Sequence, residues 1–158
     1  VIKDTEVARA SHNKIETESL FQQALSDYTP TVIQDRPRTI LFFTDSSGYE
    51  GQVGASAVAP RKGIFQRRYL GTIDESTVYV AELNSIEIAI ARFVEQKQQH
   101  NISRPIRLVI FSDCQAAIQA VQIPKRSSGQ FVLHKIYDHI RALRSQMPTF
   151  DQIPIEIR

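Results

Sequence analysis

Cysteine is nearly missing from this chain: Cys114 stands alone among 158 residues, so no intrachain disulfide can form. A reducing, intracellular setting is therefore expected, nuclear or cytoplasmic, with Cys114 serving as a small half-buried side chain. Long hydrophobic runs are missing as well. None approaches the roughly 18 apolar residues of a helical membrane span, and a membrane protein is not expected. Charge of one sign is scarce: 19 basic against 17 acidic residues leave a net +2, which permits nucleic-acid binding without demanding it. There is no glycine-rich phosphate loop and no Gly-x-Ser-x-Gly nucleophile turn, which argues against phosphate-loop nucleotide chemistry and serine hydrolysis. His12, His100, His134 and His139 lack metal-ligand spacing and are expected to be structural or solvated. No secretory leader is recognisable, and a start at Val1 rather than methionine suggests a piece of something longer.

What is present is one domain's worth of chain with ordinary hydrophobic content. Residues 1–37 are polar, with one weakly amphipathic helical pattern at Ile15, Leu20, Phe21 and Leu25, and read as a connector. Residues 38–158 have the texture of a domain. Strands are expected at 39–45, 52–59 and 64–71, joined by hairpins, so that three antiparallel strands come first. From about Val78 to Gln99 the apolar period becomes helical, and the helix is mostly buried. Leu108 to Phe111 is a continuous apolar run of the kind found in strands covered on both faces. A short helix over 115–121, a second amphipathic helix after Gly129 and an alternating strand in IPIEIR complete the order βββαβααβ. That order describes an α/β domain with a mixed five-stranded sheet flanked by helices.

Three acids interrupt apolar surroundings. Asp45 and Asp113 each follow a strand, and a right-handed crossover through the long helix would lay those strands parallel, with both acids at one sheet edge. Like charges so placed repel unless one holds a proton or a cation lies between them, and a hard divalent ion with oxygen ligands fits that need. Glu82, flanked by Ala81 and Leu83, is the third candidate. Glu87 lies about 140° further around the helix, so both glutamates cannot serve one site. Glu82 is preferred because it lies nearer the helix end that the sheet edge can reach. Each acid alone has a plainer explanation: Asp113 as a helix cap, Asp45 as a turn former before Ser-Ser-Gly, Glu82 as a partner of the helix dipole.

Together, TDSSG, AELNSIEIAI and FSDCQAAI resemble the three acidic motifs of type 1 ribonuclease H, with separations of 37 and 31 residues between the acids. More narrowly, VGASAV, STVYVAELNSIEIAI, FSDCQAAIQAV and SSGQFVL resemble the ribonuclease H domains attached to reverse transcriptases in fungal non-LTR retrotransposons. The resemblance runs from about Thr39 to Arg158. It implies a ribonuclease H-like fold and cleavage of the RNA strand of an RNA–DNA hybrid with two Mg²⁺ or Mn²⁺ ions. Asp45 would bridge both ions, while Glu82 and Asp113 would hold one of them. Ser46, Ser47, Gly48 and Gln115 would touch the nucleic acid, and a reverse transcriptase domain would lie in the same parent chain.

Two departures from the family pattern bear on this. The first motif usually has glycine where Ser46 stands. The family also continues past IPIEIR with a histidine loop and a helix bearing a fourth acid, which this sequence lacks. A weaker second metal, low activity and a partly uncovered sheet face open to self-association are the resulting expectations. The rival reading is therefore a catalytically silent remnant that binds nucleic acid or connects domains. Arg61, Lys62, Arg67 and Arg68 make the second hairpin basic, either as a solvated edge or as a phosphate contact.

Overall fold

The computed structural model describes residues 39–100, 107–124, 128–145 and 155–158. Five strands, β1 (Thr39–Tyr49), β2 (Gln52–Ala59), β3 (Ile64–Thr72), β4 (Arg107–Phe111) and β5 (Ile155–Ile157), form one sheet in the order β3-β2-β1-β4-β5. β1, β2 and β3 are antiparallel, whereas β1, β4 and β5 are parallel. Among the described residues three α-helices accompany them: α1 (Val78–His100), α2 (Gln115–Gln122) and α3 (Gln130–Ser145). The mixed sheet expected from the sequence is thus present. None of these helices is long and apolar enough to cross a membrane. The proposed connector helix lies outside the described residues.

Helix α1 organises the core. It is buried without interruption from Val80 to Ile90, because its inner side meets β1 and β2 while α3 packs on its outer side. A helix enclosed in this way is expected to carry apolar residues on more than one side, as Leu83, Ile86, Ile88, Ile90 and Phe93 do here, and its buried polar residues need partners. Ile40, Phe42, Leu108 and Ile110 face it from the sheet, and Val132, Leu133, Ile136 and Leu143 close over it from α3.

Gly129 allows α3 to come this close. It is buried with φ at +84°, and its carbonyl accepts the first helical bonds of α3 from the Val132 and Leu133 amides. A β-carbon there would lie 2.7 Å from Leu83 Cδ1, in a side chain that is itself fully buried. Gly129→Ala is therefore expected to cost about 1–3 kcal/mol through backbone strain and overpacking. Urea unfolding of the variant measures it.

One expectation needs correction. Ser46-Ser47-Gly48 is not a turn: β1 continues to Tyr49, and the hairpin turn is Glu50-Gly51, both at positive φ (47° and 75°) as a type I′ turn requires. The local chemistry favours a turn, but β2 supplies partners for every residue of the stretch, from Asp45 opposite Ser56 to Tyr49 opposite Gln52. On the outer sheet face, expected to be partly uncovered, Leu41 and Phe111 are half-buried. Phe43 and Val109 are buried there, and Phe43 stacks on Phe111 with ring centroids 5.2 Å apart. Toward β3, Phe65 and Tyr69 are exposed.

Candidate metal centre

Strand register brings two of the acids together. The parallel pairing of β1 with β4 ends at Phe43 opposite Phe111, and Asp45 and Asp113 each lie two residues further along. The Thr44 hydroxyl ties the strands at that level by donating to the Phe111 carbonyl at 3.0 Å. Beyond it β1 keeps only its antiparallel partner, and Ser56 donates its hydroxyl to the Asp45 carbonyl at 3.2 Å. Asp113 does not cap α2. The first helical residues follow Cys114, which makes no side-chain capping bond, and it is Ser112 Oγ that accepts the Cys114 amide at 3.2 Å. The Asp113 carboxylate is thus not committed to the helix end.

Glu82 arrives from the other side. Thr77 starts α1 by accepting the Val80 amide at 3.2 Å, and Glu82 follows in the second turn, facing the sheet edge. One carboxylate oxygen from each of Asp45, Glu82 and Asp113 lies within 4.8 Å of the others. The two aspartates are exposed and Glu82 is buried, so the cluster has a solvent-facing mouth and a dry floor.

The buried polar groups of α1 distinguish the two glutamates. Asn84 donates to the Val80 carbonyl at 2.9 Å, and Ser85 donates to the Glu82 carbonyl at 2.7 Å. Glu87 is satisfied at both oxygens: Arg68 Nη1 lies 2.5 Å from Oε2 and His139 Nε2 lies 2.8 Å from Oε1. Glu82 is different. Its Oε1 accepts the Ser46 hydroxyl, but its Oε2 is buried without a hydrogen-bond partner. Burial pushes the Glu82 carboxyl above its ordinary range, and the Asp113 and Asp45 charges push the same way against the Ser46 hydrogen bond. An orphaned buried oxygen and three hard oxygen donors on short separations fit a divalent cation such as Mg²⁺ or Mn²⁺.

The remaining site candidates fall around this cluster. Ser46 is half-buried with its side chain turned to Glu82, whereas Ser47 and Gly48 are exposed on β1, opposite Gly54 and Val53. A β-carbon at Gly48 would meet only ordinary contact, so no close backbone approach requires glycine there. Gln115 is exposed at the first residue of α2, two residues past Asp113. The basic hairpin divides: Arg67 points outward, but Arg68 turns inward to Asn84 and Glu87. His139, expected to be solvated or structural, is the other partner of Glu87. Sequence reading missed the Ser46–Glu82 bond and the Arg68–Glu87–His139 network. The inward parity of Ile64 and Leu70 was the available signal for Arg68.

Among solved structures, LC11-RNase H1, isolated from compost by a metagenomic approach, is similar at 15% identity with a TM-score of 0.50, covering 77% of this chain and 84% of that one. The same protein in complex with an RNA/DNA hybrid has 13% identity and a TM-score of 0.48 over 75% of this chain and 83% of that one. The N-terminal RNase H domain of a Mycobacterium tuberculosis protein has 14% identity and a TM-score of 0.49 over 77% and 81%. No protein-family model matches the chain, and no curated protein does. The likeness to the compost protein shows that sheet and helices have the ribonuclease H fold.

Proposed function

We propose that this ribonuclease H-fold chain is a divalent-metal-dependent nuclease that cuts the RNA strand of RNA–DNA hybrids. The single observation carrying the reading is the convergence of Asp45, Glu82 and Asp113, delivered by three different elements, with one Glu82 oxygen buried and lacking a partner. Asp45, Glu82 and Asp113 would hold the divalent ions. When bound, such ions activate water and stabilise the departing 3′ oxygen of the cut strand. The chain's own contribution is placement. β1 and β4 fix the two aspartates at one level, α1 supplies the floor, and Ser46 restrains one oxygen of Glu82.

Ser47, Gly48 and Gln115, exposed beside the acids, are assigned to the hybrid, where telling RNA from DNA needs contact with the 2′-hydroxyl. The motif resemblance supports a finer assignment: a domain of a retrotransposon polyprotein, with a reverse transcriptase domain in the same parent chain.

The test is cleavage of a hybrid with labelled RNA in Mg²⁺ and in Mn²⁺, beside double-stranded and single-stranded RNA. Hybrid-only cutting that leaves 5′ phosphates is expected. Metal and hybrid binding without product would favour the silent binding module, and no binding of either would end the nuclease reading.

Two further outcomes follow from the site. Ser46→Ala should weaken Mn²⁺ binding about 10- to 100-fold, the usual cost of losing a group that orients a ligand, and Ser46→Thr should restore it; titration calorimetry measures both. The raised pKa of Glu82 means that the metal-free folded chain binds more protons than the unfolded chain just above the ordinary glutamate range. Stability therefore falls as pH rises through that window, and a bound cation cancels the loss. Mn²⁺ should raise the melting temperature more at pH 8 than at pH 5.

A further inference from the structure

Register across the antiparallel half of the sheet sets side chains in rows on its outer face. Phe43 pairs with Val58 and Val58 with Phe65; Asp45 pairs with Ser56 and Ser56 with Arg67; Ser47 pairs with Gly54 and Gly54 with Tyr69. Directly paired residues share a face, so Arg67 lies in the same row as Asp45, two strands and about 10 Å away. β3 is the sheet edge, and edges are ordinarily blunted by charge. This one instead presents Phe65, 55% exposed, and Tyr69, 67% exposed, on either side of Arg67.

The rows have the shape of a flat track. Between the acids and the aromatic side chains the floor is Ser56 and Gly54, which are small. A β-carbon on Gly54 would meet only ordinary contacts at 3.5 and 3.6 Å, so its bareness is not required by packing. The Arg67 guanidinium lies over the Phe65 ring, 4.6 Å from its centroid, and the Tyr69 hydroxyl is steadied by Gln52. Apart from Asp45, Arg67 is the only charged side chain in these rows. Alternating aromatic, guanidinium and aromatic groups along one face match what unpaired nucleic acid requires: π-faces for bases and a cation for phosphate.

We propose that Phe65, Arg67 and Tyr69 form a platform for the single-stranded segment that runs off a hybrid engaged at the acid cluster. The platform deepens the hybrid-nuclease reading and rests on it for the identity of the strand. Arg67 takes a phosphate one or two nucleotides from the cut, and bases stack on the Phe65–Arg67 pair and on Tyr69. A protein strand adding to the β3 edge would use backbone groups and would be indifferent to these side chains.

The experiment measures binding in EDTA, where no cutting occurs, by fluorescence anisotropy of a blunt RNA–DNA hybrid and of the same hybrid with a short single-stranded extension at either end. The parent chain should hold one extended hybrid about tenfold more tightly than the blunt one, the effect of a single stacked base. Phe65→Ser with Tyr69→Ser should lose that gain and bind the blunt hybrid as before; both side chains are exposed, and circular dichroism checks the fold. Arg67→Gln should lower the salt dependence of extended-hybrid binding by about one charge. The platform is overturned if the extension brings no gain, if the double variant keeps the gain, or if that variant loses blunt and extended hybrids in equal proportion. Failure of the nuclease reading looks different. A Mn²⁺ reaction would then yield no product and blunt hybrid would bind no better than duplex DNA, while an extension gain abolished in the double variant would still assign the face.

Discussion

Asp45→Asn should reduce hybrid cleavage about a thousandfold or more while leaving the fold at least as stable as the parent in the absence of metal. The two effects have one origin. Asp45 lies within the same 4.8 Å cluster as Glu82 and Asp113, and its charge is one of the influences that disfavour ionisation of Glu82. Replacing it with an amide of the same shape removes a repulsion that costs stability and a ligand that chemistry depends on, and members of such clusters act as a unit. Cleavage rates on the labelled hybrid and metal-free melting curves read the two quantities separately. The stabilising effect of Mn²⁺ should shrink in parallel. A variant cutting at the parent rate would remove Asp45 from the site.

The second large effect is on stability. Arg68→Met should destabilise the fold by about 3 kcal/mol, because it leaves Glu87, itself only 4% exposed, with His139 as its remaining side-chain partner among the described residues. The Arg68 side chain is 39% exposed, which places the cost at the low end for breaking a buried pair. Combining it with Glu87→Gln should recover most of the loss, since the uncompensated carboxylate then goes as well. A double-mutant cycle from urea unfolding tests this. Strictly additive effects would mean that the guanidinium and the carboxylate are not coupled.

That network also shows where sequence reading reaches its limit. The apolar period of α1 was plain, and the three acids could be grouped from strand ends and crossover handedness. The choice between Glu82 and Glu87 rested on distance from a helix end, and that reason was incomplete. What separates them physically is that β3 and α3 bring Arg68 and His139 to Glu87, while Glu82 keeps an oxygen without a partner. No pattern within α1 carries that information. The Ser-Ser-Gly stretch failed for a related cause: its composition suits a turn, and only pairing with β2 makes it a strand. Ser46 could be noticed as a departure from the family's glycine, but its bond to Glu82 needed the helix and the strand in place together.

The Glu50-Gly51 turn is two residues long, so it leaves β1 no slack against β2. An insertion of one residue there that slid β1 along its partner would deliver Thr44 or Ser46 to the position Asp45 holds, and every side chain of the strand would change sides. The spacing of the clustered carboxylates is thus counted out from a bend that touches none of them, and length variation at that bend should be tolerated far less than its exposure would suggest.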